Sequence, residues 1–355
     1  MIVIIPSNRQ IDLSYLSPLI DAGARFIVVD DSEGSIAIDH PQFAVYNWGH
    51  RRSMLGPLDE YFPRRNGACR SFGFYCAWHQ SDPGEIIVAL DDDCRVPDEG
   101  FAAQVSRALS SDPRPEATTG GLHLNILDLY EGGAQGLFPR GFPYSARIDY
   151  DDAVLGSPIT QRNVVFSLGL WTGIYDINAV DKVSGAPYRF PEARLQHPSV
   201  LIAPEKLISV CSMNMHFRRE VLPATYQLPM HVPVLPDGVI DRYGDIWGGF
   251  VLKMLIDIKG DGFAAGAPMI EHLKEGNYVR NIWQENLSHQ VNDEFLALLA
   301  SAREEVVAGP YLGMMEQLTH AIDARVANCS PILSRYLSTL VPALDAWTRA
   351  LQKNS

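Results

Sequence analysis

The stretch Glu85–Val96, EIIVALDDDCRV, decides the fold. Ile86-Ile87-Val88-Ala89-Leu90 is a short apolar, β-branched run, the pattern of a strand buried on both faces of an α/β sheet. It stops on Asp91, Asp92 and Asp93. Three like charges are costly inside a sheet, so they belong at its carboxyl edge, where open α/β sheets bind ligands. Carboxylates gathered there repel one another unless a cation sits among them. Hard oxygen donors suit Mg²⁺ or Mn²⁺, ions that accompany diphosphates. A solvated acidic turn after a strand is the plainer alternative.

The surrounding chain bounds this reading. Its 355 residues suit two domains, or one large domain with additions. A composition of 46% hydrophobic and 20% charged residues is that of a globular protein with a full core. The net charge of −13 argues against a nucleic-acid partner, because binding a phosphate backbone needs a basic excess. Five cysteines without framework spacing fit a reducing compartment, and no CxxC pair suggests structural zinc. The opening MIVIIPSNR reads as a strand rather than an export signal, and no apolar run reaches a membrane-span length. A cytoplasmic location follows as the expectation.

On the amino-terminal side, Ile2–Ile5 is a second buried-strand pattern. Leu13–Ala22 reads as a helix capped by Asp12 or Ser14, and Phe26–Val29 as a strand ending on Asp30 and Asp31. This is the strand–helix–strand opening of a nucleotide-binding fold, without GxGxxG or GxxxxGK[ST]. Asp30 or Asp31 is placed to meet uracil or ribose; turn chemistry competes with that reading. Arg51, Arg52, Arg64, Arg65 and Arg70 form a basic run before a helix over Cys69–His79. A phosphate docked at that helix and a solvated surface cluster are its two readings.

On the carboxyl-terminal side, Phe101–Leu109 reads as a helix, Ser110–Thr119 as a loop, and Phe166–Gly173 and Leu207–Phe217 as strands. Gly132–Arg147, rich in Gly and Pro, reads as an ordered loop placing Arg140 and Arg147 over an anionic substrate. Asp245 lies near the start of a helix over Phe250–Ile258, where it caps the helix or handles a sugar hydroxyl. Ala267–Lys274 is a short strand-like segment whose His272 is a candidate third metal ligand beside Asp91 and Asp93. From about Trp283 helical periodicity dominates, over Asn292–Val307, Tyr311–Val326 and Pro331–Lys353. The expected organisation is a domain over 1–282 and a helical segment over 283–355, packed on it or used for association.

Two strand ends and nine short motifs, in order, resemble the reversibly glycosylated polypeptides, the UDP-arabinopyranose mutase family. They are the Arg9 and Asp31 strand ends, MLGP (Met54–Pro57), ACRSFGF (Ala68–Phe74), ALDDDC (Ala89–Cys94) and RGFPYSAR (Arg140–Arg147). They continue with GLWTGIYD (Gly169–Asp176), CSMNMHF (Cys211–Phe217), DRYGDIWGG (Asp241–Gly249), HLK (His272–Lys274) and IWQE (Ile282–Glu285). The resemblance implies a glycosyltransferase-A type fold: a Rossmann-like mixed sheet flanked by helices, with a helical C-terminal segment. It implies a metal-dependent UDP-sugar site with Asp91, Asp92 and Asp93 as the acidic triplet, and Arg9, Asp30, Asp31, Arg70, Trp171, Asn214 and Lys274 in substrate contact. Arg140 matches the arginine that becomes glycosylated, and Arg147 the second arginine of that segment; Asp245 completes the implied catalytic set. The implied reaction interconverts pyranose and furanose forms of the UDP-sugar without a flavin, in a homo-oligomer. A glycosyltransferase of the same fold acting on a separate acceptor is the alternative, and a nonenzymatic carrier the third reading. The chain departs from the plant pattern at Leu168, Asn178, Gly244 and Glu271.

Overall fold

The computed structural model describes residues 1–97, 100–160 and 163–352. In chain order the strands are β1 (Ile2–Ser7), β2 (Arg25–Asp30), β3 (Phe43–Tyr46), β4 (Ile86–Leu90), β5 (Cys94–Arg95), β6 (Arg114–Thr118) and β7 (Val154–Ile159). They continue as β8 (Val164–Ile174), β9 (Arg189–Phe190), β10 (Ser199–Ile202), β11 (Asn214–Arg218), β12 (Val232–Leu235), β13 (Gly238–Ile240) and β14 (Gly262–His272). One 12-stranded mixed sheet has the order β3-β2-β1-β4-β11-β8-β14-β10-β6-β7, with β5 added to β14 and β9 to β8. β12 and β13 pair separately. The α/β mixed sheet flanked by helices is therefore found.

Strand direction places the site. β1 is parallel to β2 and β4, β11 is antiparallel to both β4 and β8, and β8 is parallel to β14. Hence β1, β2, β4, β8 and β14 all run one way. Their carboxyl ends, Ser7, Asp30, Leu90, Ile174 and His272, share one edge. Gly173 makes the last part of that edge possible. Its φ is +80°, and a Cβ there would overlap the carbonyl of His272 on the neighbouring strand.

The helices are α1 (Ser17–Asp21), α2 (Trp48–Leu55), α3 (Arg70–Gln80), α4 (Phe101–Ala108), α5 (Ala179–Val183), α6 (Gly244–Lys259), α7 (Tyr278–Arg303), α8 (Tyr311–Asp323) and α9 (Pro331–Gln352). The expected helix over Leu13–Ala22 is instead a 3₁₀ turn, Leu13–Leu16, capped by Asp12, followed by α1. Pro18 explains the break, because it lacks the N–H that would continue the first segment. Ser110–Thr119 is not all loop: Arg114–Thr118 pairs with both β7 and β10. The sequence hides this strand because Pro115 removes a donor, and the register shifts between Pro115 and Ala117. Leu207–Phe217 is a strand only from Asn214. α2, β3, β7 and β10 carry no periodicity strong enough to read beforehand.

The helical segment begins at Tyr278 rather than Trp283, and its expected last residue, Lys353, lies outside the described residues. It shares the core of the sheet. Trp347 of α9 is fully buried, donates Nε1–H to Pro223 O at 2.8 Å, and packs on Phe62 and Tyr226. Trp247 of α6 stacks on Phe295 of α7 with ring centroids 4.4 Å apart. Among the described residues no helix is long and apolar enough to cross a membrane.

Candidate active site

The acidic triplet leaves β4 at the shared edge, and two arginines answer it. Arg70, 1% exposed, pairs with Asp91 and also donates to Ser212 O. Arg9 pairs with Asp92 and lies 3.6 Å from Asp93, while Ser7 Oγ also donates to Asp92. Burial raises the Asp91 carboxyl above its ordinary range, against the pull of Arg70. His272 ends β14 opposite Cys94, and Leu273 N donates to Asp93 O at 3.3 Å. Its Nδ1 donates to Ile174 O at 2.7 Å, which fixes the ring and leaves Nε2 as the coordinating nitrogen. Among the described residues no three His, Cys, Asp or Glu side chains close into a metal cage. The donors of one are gathered at this edge: two carboxylates now countered by guanidinium groups, and an imidazole tied at its other nitrogen. That chemistry fits a hard divalent ion.

Asp30 is a turn residue. It accepts from Ser32 N at 2.9 Å, from Ser32 Oγ, and from Ile36 N at 3.4 Å. Asp31 accepts from Trp48 Nε1 at 2.7 Å and from Arg65 N, and burial raises its carboxyl. The basic run ahead of α3 divides between buried and exposed arginines. Arg51 is 2% exposed, holds Asp59 at 2.6 Å, and donates to Pro63 O and Phe62 O. Arg64 shares Asp59, Arg65 pairs with Glu33, and both guanidinium groups lie over the ring of Trp48. Arg51 is thus held internally by Asp59, a neighbour within the run, whereas Arg65 and Glu33 pair at the surface and Arg52 is exposed.

Arg140 lies in the Gly/Pro loop, which is irregular as expected apart from a 3₁₀ turn at Tyr144–Arg147. It is buried rather than poised over open solvent. Its Nε donates to both oxygens of Asp176 at 3.0 and 3.1 Å, and its Nη2 to Asp245 Oδ2 at 2.9 Å. Nη1 reaches Asp245 Oδ1 at 3.3 Å and the carbonyl of Arg242. Burial pulls the guanidinium pKa down, but Asp176 and Asp245 outweigh it and hold it well above its ordinary value. Burial likewise acts to raise Asp176, and Arg140 overrides it, holding the carboxyl far below the usual range. Asp245 sits in the first turn of α6 but does not cap it; it also accepts from Ser212 N at 3.2 Å. Ser212 thereby joins the two halves of the site, with its carbonyl on Arg70 and its N–H on Asp245.

The remaining candidates divide. Arg147 forks onto Asp181 at 3.1–3.2 Å and lies over Phe138 and Tyr144. Lys274 is exposed at the same edge as His272. Trp171 and Asn214 lie inside the sheet. Trp171 is fully buried within β8, and Asn214 spends its amide on Leu170 O, Pro268 O and His216 Nε2 inside the sheet. Both side chains are enclosed because β8 and β11 are covered on both faces, with consecutive residues buried along each strand. A cavity of about 90 Å³ under the Gly/Pro loop is lined by Tyr130, Tyr175, Phe190 and Arg194, and no residue of the acidic triplet lines it. Asp176, Ser212, Arg242 and Glu285 were not singled out in the sequence. Asp176 had a readable signal: an acid just past a strand parallel to β4.

The comparisons with known proteins bear on the family of this chain. UDP-arabinopyranose mutase 3 of Arabidopsis thaliana is 29% identical over 356 residues, covering 97% of this chain and 90% of that protein. UDP-arabinopyranose mutase 1 of the same plant is 26% identical over 352 residues, 97% of this chain and 91% of its own. UDP-arabinopyranose mutase 1 of Oryza sativa subsp. japonica is 24% identical over 355 residues, 97% and 89%. The family model described as Reversibly glycosylated polypeptide matches residues 2–353, and this chain belongs to that family.

Proposed function

We propose that this chain is a UDP-sugar mutase that interconverts pyranose and furanose forms of a UDP-pentose, as its relatives are named for doing with arabinopyranose. One observation carries the reading: the hydrogen-bonded series Asp91–Arg70–Ser212–Asp245–Arg140 joins an edge suited to a metal diphosphate to a buried arginine. In this reading Asp91, Asp93 and His272 hold Mg²⁺ or Mn²⁺, which supplies charge neutralisation for the diphosphate. Arg9 and Lys274, the accessible cations of that edge, take phosphate oxygens. Asp31 keeps acceptor capacity for uracil or ribose beyond its bonds to Trp48 and Arg65.

The sugar end uses Arg140. Its Nη2 has Asp245 as its one hydrogen-bond partner, so it is the least encumbered nitrogen. The bond from the anomeric carbon to the diphosphate breaks, and UDP leaves with the electron pair. Nη2 bonds to the anomeric carbon and its proton passes to Asp245. The Nη2 lone pair then expels the ring oxygen, which becomes a hydroxyl by taking the proton held on Asp245. Another sugar hydroxyl adds to the resulting C=N bond and gives its proton to Asp245. UDP then bonds to the anomeric carbon, the carbon–nitrogen bond breaks with its electron pair going to Nη2, and Nη2 regains its proton from Asp245. No flavin enters this sequence. Incubation of the purified protein with UDP-arabinopyranose and Mn²⁺, without acceptor, should yield UDP-arabinofuranose on chromatography. Sugar transfer only when an acceptor is added would assign a glycosyltransferase instead. Asp93→Ala should abolish turnover with the fold kept, and UDP binding by this variant should no longer respond to Mn²⁺.

A further inference from the structure

α7 presents Gln284, Glu285, Ser288, His289 and Asn292, positions that share one helix face, to the segment leading into α6. Gln284 Nε2 donates to Asp241 Oδ2 at 2.9 Å, and Ser288 Oγ to Asp241 O at 2.8 Å. His289 Nδ1 meets Tyr243 Oη at 2.6 Å, and Trp247 Nε1 donates to Asn292 Oδ1 at 2.8 Å. Glu285 is the one carboxylate of this row, and it is 1% exposed. Its oxygens serve two different walls: Oε1 accepts from Arg242 Nε at 3.0 Å, and Oε2 from Ala179 N at 2.9 Å.

Both partners lead to Arg140. Arg242 has φ +63°, a left-handed backbone that side chains disfavour, and its carbonyl accepts from Arg140 Nη1. Ala179 follows Asn178, whose Oδ1 accepts from Gly141 N at 3.1 Å, the residue after Arg140. Asn292 reaches Gly141 O at 3.5 Å from the same helix face. We infer that Glu285 is a positioning residue: from the C-terminal helices it fixes the Arg242 carbonyl and the Asn178 corner, and so sets the orientation of the Arg140 guanidinium. The inference rests on the proposed role of Arg140 and supplies the reason a helix outside the nucleotide edge belongs to the site.

Glu285→Gln keeps the shape and removes the charge. A glutamine has one acceptor oxygen for two donors, so its NH₂ confronts either Arg242 Nε–H or the Ala179 N–H. In Glu285→Gln, kcat for UDP-sugar interconversion should fall by about 10–100-fold, as misplacement of a reacting group does. UDP affinity should stay within about twofold, the ordinary additivity margin, because the acidic edge is untouched. Arg242→Gln should behave alike, and the double variant should be no worse than either single one. A second readout does not depend on turnover. Phenylglyoxal modification of Arg140, mapped by peptide mass, should be slow in the wild type and faster in both variants. Unchanged Arg140 protection and unchanged kcat in both variants would overturn the inference, as would an equal loss of kcat and UDP affinity. If Arg140→Ala turns over normally, the proposed reaction fails; if that variant is inactive while Glu285→Gln is normal, the positioning role alone fails.

Discussion

The proposed reaction places opposed demands on Arg140. Carbon–nitrogen bond formation needs a neutral guanidine nitrogen, yet Asp176 and Asp245 hold the guanidinium well on the charged side. Asp245 resolves this, because the carboxylate that stabilises the cation is also within 2.9 Å to receive its proton. Two outcomes follow. Intact-protein mass spectrometry after mixing with UDP-sugar should show one added sugar, mapped to Arg140 and reversed by excess UDP. Asp245→Asn should lose the adduct while retaining UDP binding, because an amide oxygen keeps a hydrogen bond but is a far weaker proton acceptor. Adduct formation in this variant at the wild-type rate would remove Asp245 from the chemistry.

At the scale of elements, the Arg140 loop is held by α5, α6 and α7 rather than by secondary structure of its own. Gly141 is where loop and helix meet. Its φ is +83°, and a Cβ there would overlap the side chain of Ile246 in α6. Gly141→Ala therefore combines a disfavoured backbone with a clash, and should destabilise the fold by about 1–3 kcal/mol. The loss should be read by urea unfolding, alongside a fall in kcat larger than any change in UDP affinity. Because Arg140 is its neighbour, relief of the clash displaces the guanidinium from Asp176 and Asp245. An alanine variant with wild-type stability and turnover would show that the loop tolerates the shift.

The whole molecule couples sheet and helical segment through one buried cluster that reaches from Ile2 to Leu351. Two histidines inside it give stability a pH dependence. Burial pulls the His123 imidazole down from 6.5 to about 4 and that of His216 to about 3. Below pH 6.5 the unfolded chain binds protons at both positions and the native chain does not, so stability falls as pH falls toward 4. Each histidine contributes roughly 1.4 kcal/mol per pH unit within that window. Asp31, Asp91 and Asp128, raised by burial, act in the opposite direction in the lower part of it. His123→Phe isolates one term. Its ring lies against Phe142 and Phe250, so phenylalanine suits the space, with Asp293 the nearby charge. Urea midpoints at pH 7 and pH 5 should differ less for His123→Phe than for the wild type; an equal difference would exclude this histidine.

The sequence alone determined what depends on local pattern. Apolar runs such as Ile86–Leu90 have one stable place, a sheet interior, and the acids that stop them have one stable place, its edge. Helical periodicity from about residue 283 and the Gly/Pro texture around Arg140 are likewise local properties. Tertiary structure decided every pairing between distant residues. Arg70 pairs with Asp91 only because α3 packs on the sheet that carries β4, and Trp171 and Asn214 are enclosed because the sheet is covered on both faces. Asp176, Ser212 and Glu285 acquire their meaning only where β8, the turn before β11 and α7 converge on Arg140. Charge is visible in a sequence, but its neutralisation is a matter of distance, and distance between residues 140, 176, 245 and 285 is set by the fold.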